Sequence, residues 1–196
     1  EDIAPDVSNN IIQDLTYVMI LKDFHKDMTI DKPKNYDRSE FICSYSSGEC
    51  PQTDKKLWSK DKLISYGKLP NNKYMINWPI NGNDYYSNSI EMTAKERLLS
   101  YEEAKQKSLR FLYFIQTEMN YTNLSIDYDE YQTKDGFPVI PYHRESRRSE
   151  GMVTLTLNDI KSPYLNNNSI YRTGIAVGDY PVDHHHGAYD NYVNLP

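Results

Sequence analysis

Hydrophobic and polar positions change period several times along this chain, and the changes mark out its elements. Residues 12–22, IIQDLTYVMIL, are rich in β-branched and aromatic side chains and predict a strand. A polar connection follows over 22–40, and His25 within it is expected to be a solvated loop residue. Residues 43–56 are a Ser, Gly and Pro loop. Residues 63–80, LISYGKLPNNKYMINWPI, place two apolar runs around Gly-Lys-Leu-Pro-Asn-Asn, which predicts a hairpin. The clearest element is a helix from about Thr93 to Met119. It opens on Thr93-Ala-Lys-Glu96, a capping box in which each end satisfies an orphan backbone N–H. Leu98, Tyr101, Lys105, Ser108, Leu112, Ile115 and Met119 then recur at helical spacing. Phe111 and Phe114 widen the apolar stripe late, so the C-terminal half is expected to be the more buried. This stripe is read as core. Further on, Val153, Leu155 and Leu157 alternate with Thr154, Thr156 and Asn158, as in a half-buried strand. Residues 170–183 begin as a strand that breaks at Gly178-Asp179. Several strands around one long helix, without regular strand–helix alternation, predict an α+β fold rather than a doubly wound sheet. The sheet is expected to be mixed and largely antiparallel. With no internal repeat, the 196 residues are expected to form a single domain.

Composition narrows the function classes. The net charge of −6 argues against a nucleic-acid partner, which requires a basic face. No apolar run reaches the roughly 18 residues of a membrane span. The chain opens Glu-Asp-Ile with neither an initiator Met nor a signal peptide, as expected of a processed chain or a piece of a longer one. The 18 Tyr supply amphipathic bulk suited to half-buried strand positions, and also to contact with sugars and other polar ligands. Cys43 and Cys50 are the only cysteines. A disulfide in an oxidising compartment and a pair of free thiols are both compatible with their spacing. A zinc half-site fits less well, because structural zinc takes four ligands.

Candidate chemistry concentrates in two places. Residues 141–148, PYHRESRR, gather His143, Arg144, Arg147 and Arg148 in an otherwise acidic chain. Guanidinium forks bind carboxylate or phosphate bidentately, although a solvated salt-bridge cluster has the same composition. The second place is TGIAVGDYPVDHHHGAYD, residues 173–190, where His184, His185 and His186 follow Asp183 and Asp179. Such imidazoles can be exposed loop residues, proton donors near neutral pH, or ligands for zinc or copper. No Gly-x-Gly-x-x-Gly occurs, and no Gly-x-x-x-x-Gly-Lys-Ser/Thr. The chain therefore has neither a dinucleotide fingerprint nor a P-loop. Gly-x-Ser-x-Gly and His-Glu-x-x-His are absent as well.

Six segments taken in order resemble one known family. They are LTYVMILKD, SYGKLPNNKYMINWPINGNDYY, IEMT, FLYFIQTE, IPYHRESRR and YRTGIAVGDYPVDHHH. Together they resemble the FAD-dependent oxidoreductases common in Bacteroidetes, some of which carry a xanthan lyase label. The resemblance runs from about residue 12 to residue 189. It implies the middle, substrate-facing region of a larger flavoprotein, without its glycine-rich FAD segments. FAD is then expected in the parent protein and none on this chain alone, because the pyrophosphate rests on the helix behind the missing glycines. The remaining FAD-binding segments of the parent chain would be partners. The resemblance also implies site roles. His184, His185 or His186 would exchange a proton, with Asp183 or Asp179 orienting an imidazole. His143, Arg144, Arg147 and Arg148 would hold an anionic or hydroxylated substrate, a carbohydrate or related polar metabolite, or contact the cofactor, and Trp78, Tyr85 and Tyr86 would offer sugar-stacking faces. No metal site is expected. A polysaccharide lyase and a non-catalytic glycan-binding module are the alternatives. Export to the periplasm is slightly favoured by the family and by the Cys43–Cys50 spacing.

Overall fold

A computed structural model describes residues 12–51, 57–144, 146 and 152. The apolar run 12–22 does not form one continuous strand. It gives β1 (Leu15–Thr16) and β2 (Met19–Asp23), and the chain changes pairing partners between them. At this break the Tyr17 carbonyl accepts side-chain hydrogen bonds from Asn83 Nδ2 (3.1 Å) and Ser108 Oγ (2.8 Å). Side chains thus satisfy a buried backbone group that no strand partner reaches. In β2, Met19, Ile20 and Leu21 are consecutive and all buried. Successive strand residues point to opposite faces, so both faces of β2 are covered.

The region 63–80 also differs from the predicted hairpin. Its first apolar run is helical: α1 spans Lys60–Tyr66. Ser59 caps it by accepting from the Lys62 N–H, and Asp61 adds a favourable acidic residue to the first turn. Leu63 and Ile64 alone are buried, which satisfies one face of a short helix as well as it would a strand. The hairpin follows, with arms β3 (Lys68–Leu69) and β4 (Lys73–Ile76). Asn71 and Asn72 take positive φ of 61° and 55° in its turn, which asparagine tolerates. Gly67 joins helix to hairpin. A Cβ there would lie 1.9 Å from the Met75 carbonyl oxygen, so the close approach requires glycine.

After β5 (Asp84–Tyr85), the long helix α2 spans Ala94–Thr117. The predicted capping box is present: the Thr93 hydroxyl accepts from the Glu96 N–H, and the Glu96 carboxylate accepts from the Thr93 N–H. Its buried residues are Ala104, Ser108, Phe111, Leu112, Phe114, Ile115 and Gln116. The first turns are open, with Leu98 and Leu99 exposed. The chain continues through β6 (Leu124–Ile126) to a single helical turn, α3 (Tyr128–Tyr131).

The larger sheet has the order β3-β4-β2-β6, and β1 and β5 form a separate ribbon. Every described pairing is antiparallel. The architecture is α+β, with α2 packed against β1 and β5. Tyr17, Phe41, Phe111, Phe114 and Phe137 are the bulkiest fully buried side chains of the core. Cys43 and Cys50 are joined as a disulfide, with Cα atoms 4.8 Å apart. No described helix is long and apolar enough to cross a membrane.

Candidate functional site

The segment 141–144 reaches its place through a two-residue backbone exchange. Thr16 N donates to Tyr142 O (3.0 Å), and Tyr142 N donates to Thr16 O (2.8 Å). β1 therefore carries β5 on one side and Tyr142 on the other. This brings residue 16 and residues 142–144 together across more than 120 positions of sequence.

Arg144 turns inward from this bridge. Its Nη1 donates to the Asp14 carbonyl (2.5 Å) and to Thr16 Oγ1 (3.1 Å). Its Nη2 reaches Asp84 Oδ1 (3.3 Å) and Asn77 Oδ1 (3.5 Å). The Thr16 hydroxyl also donates to the Asp84 carboxylate. The Arg144 and Asp84 side chains are only 6% and 4% exposed, and the guanidinium lies 5.1 Å from the centre of the Tyr142 ring. A buried pair of this kind must satisfy most of its donors and acceptors to offset desolvation. Arg144 was expected to hold a substrate; the structure uses it as a clamp between β1, β5 and the 142–144 segment.

The clamp presents His143 to α2. Tyr101 Oη and His143 Nε2 are 2.8 Å apart, and both side chains are half-buried. The Tyr101 ring also meets the Tyr17 ring edge-on, at 6.0 Å and 74°. Burial, with a smaller effect from the nearby Arg97 charge, holds the His143 pKa below its usual value. The Arg97 guanidinium is occupied by the carbonyls of Ser89 (3.1 Å), Ile90 (3.5 Å) and Met92 (3.0 Å). Tyr17, buried beneath Tyr101, has its phenol pushed up to about 12, chiefly by burial and then by Tyr101. The result is a half-buried imidazole hydrogen-bonded to a phenol, with burial disfavouring its charged form.

The other expected site residues fall into three groups. Tyr85 is half-buried in β5, and Tyr86 beside it is exposed. Trp78 is buried: its indole N–H donates to the Ser44 carbonyl (2.9 Å), and its ring packs with Trp58 and Tyr66. The structure thus uses Trp78 as core instead of a stacking face. Arg147, Arg148, Asp179, Asp183, His184, His185 and His186 lie outside the described residues, as does the strand expected at 153–157. Among the described residues no group of three or more His, Cys, Asp or Glu could hold a metal ion. Sequence reasoning missed Tyr101, Thr16, Asn77 and Asp84. Tyr101 sits on the apolar stripe of α2, where its spacing predicts core, and the other three carry no motif.

Comparison with known proteins bears on the chemistry. The family model for FAD dependent oxidoreductases matches residues 9–195. The chain belongs to the FAD dependent oxidoreductase family. No curated protein and no solved structure matches it significantly. The family implies FAD in the parent protein. The described residues do not fit the dinucleotide pyrophosphate. Their strands pair only antiparallel, with no glycine-rich strand-to-helix turn. The N-terminus of α2, where a pyrophosphate could rest, is closed by the Glu96 carboxylate of its own capping box.

Proposed function

We propose that this chain supplies the substrate-facing region of an FAD-dependent oxidoreductase acting on a carbohydrate or a related polar metabolite. Other segments of the parent protein hold the flavin. The observation that carries this reading is the family match over residues 9–195 in a chain with no Gly-x-Gly-x-x-Gly. The half-buried pair of His143 and Tyr101 supports it, since it joins an aromatic face to a polar imidazole. In this reading Arg144 positions the segment, while Arg147 and Arg148 meet the substrate's polar groups. His184, His185 and His186, with Asp183 or Asp179, remain the candidates for proton exchange at the reacting carbon. The Cys43–Cys50 bridge supports a place in an oxidising compartment.

The test is the visible absorption spectrum of the full-length protein purified without added cofactor. A flavin band that candidate sugars bleach supports the reading. A protein that stays colourless after reconstitution with FAD, and cleaves a uronate polysaccharide, refutes it in favour of a lyase.

A further inference from the structure

Tyr101 belongs to no motif, yet it is the side chain that α2 delivers to His143. We infer that Tyr101 and His143 form a proton-exchanging pair, in which Tyr101 Oη meets a substrate hydroxyl and His143 Nε2 stores the proton. This deepens the proposed function and rests on it. In the step, the substrate O–H bond breaks and its proton goes to Tyr101 Oη. Tyr101's own proton passes at the same time to His143 Nε2, leaving an alkoxide and an imidazolium. The return transfer restores both side chains, so the step needs no other reactant.

Three observations carry this inference. First, the contact is direct, at 2.8 Å, between two half-buried side chains that still reach the surface. Second, both partners are anchored. Tyr101 rides on a helix whose later turns are core, and its ring packs on fully buried Tyr17, which packs edge-on against Phe137 at 5.8 Å. His143 is flanked by the Tyr142 backbone bridge and the Arg144 clamp. A group held this firmly loses little orientational freedom when a substrate arrives. Third, among the described residues, the charged and titratable groups recorded against His143 come from α2. They are the Tyr101 phenol and Arg97, whose positive charge disfavours an imidazolium in the resting state. The imidazole is then empty and able to accept. Arg144 is a positioning residue, since its donors are spent inside the fold.

Two experiments on the full-length protein test the pair. Nitrogen-15 NMR of His-labelled protein near pH 7, with the signal assigned by loss in His143→Gln, reads the tautomer. The inference expects Nδ1–H, with Nε2 accepting from Tyr101. An Nε2–H tautomer would make Tyr101 the acceptor and overturn the relay. Turnover of D-glucose, D-galactose and D-glucuronate with a dye as electron acceptor then compares wild type with Tyr101→Phe. The expected fall in kcat is about 10²- to 10⁴-fold, with KM and flavin content unchanged. His143→Gln should lower kcat similarly and abolish the acid limb of the pH profile. Unchanged kcat in Tyr101→Phe overturns the inference and leaves the proposed function standing. Should none of the three sugars be turned over, that substrate class fails, and the tautomer alone decides the pair.

Discussion

Arg144→Met removes a guanidinium whose Nη2 lies 3.3 Å from Asp84, a carboxylate with a side chain only 4% exposed. Methionine keeps the bulk and drops the charge. Asp84 retains the Thr16 hydroxyl but loses its cation, and the Asp14 carbonyl loses a donor. Breaking a buried pair from one side costs about 3 to 5 kcal/mol, mostly because the other charge is left uncompensated. At this chain length each kcal/mol moves Tm by about 2 to 4 °C, so the expected fall is about 6 to 20 °C. Urea unfolding followed by Trp58 and Trp78 fluorescence measures the loss. The Arg144→Met/Asp84→Asn double variant should recover part of it, because the buried carboxylate charge is gone as well. A single-variant loss below about 1 kcal/mol, the range of an exposed pair, would refute a buried clamp. So would a double variant as unstable as the sum of its singles, which would mean that the two residues do not interact.

Three further outcomes follow from the same structure. Asn83 is fully buried, and its amide serves the Trp78 N–H and the carbonyls of Tyr17 and Ile76. The Tyr17 carbonyl keeps Ser108, so Asn83→Ala should cost about 2 kcal/mol or more at roughly 1 to 3 for each of the other two groups, and a urea midpoint within error of wild type would contradict this network. The Cys43–Cys50 bridge spans a sequence separation of 7 and should contribute about 2 to 3 kcal/mol, with Cys43→Ser/Cys50→Ser reproducing the effect of reductant. A reductant effect that persists in that double variant would show that the loss arises elsewhere. The depressed His143 pKa fixes the sign of a pH effect. Below the ordinary value of 6.5 the unfolded chain binds a proton that the folded chain resists. The His143 contribution is therefore neutral above pH 6.5 and turns destabilising as pH falls towards the folded-state pKa. Unfolding curves between pH 7 and pH 5 should show a shallower acid loss in His143→Gln than in wild type, and identical slopes would refute the assignment.

Much of the scaffold is written in local pattern. Thr93 and Glu96 fix the start of α2 because a capping box needs only four consecutive residues. The apolar spacing from Ser108 to Ile115 fixes its buried face for the same reason. The helix at 60–66 escaped because LISY is short and apolar, and burial of two adjacent residues satisfies a helix or a strand equally. The break at Tyr17 escaped because its cause, Asn83 and Ser108 supplying hydrogen bonds to one carbonyl, lies far along the chain.

The candidate site divides in the same way. PYHRESRR announced itself by composition, and family membership could be recognised from ordered segments of the sequence. What Arg144 and His143 contact was decided by tertiary structure. Arg144 and His143 are neighbours of similar polarity, yet the Thr16–Tyr142 bridge sends one into a buried ion pair and the other against Tyr101. The sequence by itself determined the long helix, its cap, the α+β class and the absence of a dinucleotide fingerprint, since each depends on residues close together in the chain. Only the tertiary structure decided that Trp78 is core, that Arg144 is a clamp and that Tyr101 meets His143. Those outcomes depend on which distant surfaces exclude water together, and burial sets both the cost of a charge and the pKa of an imidazole.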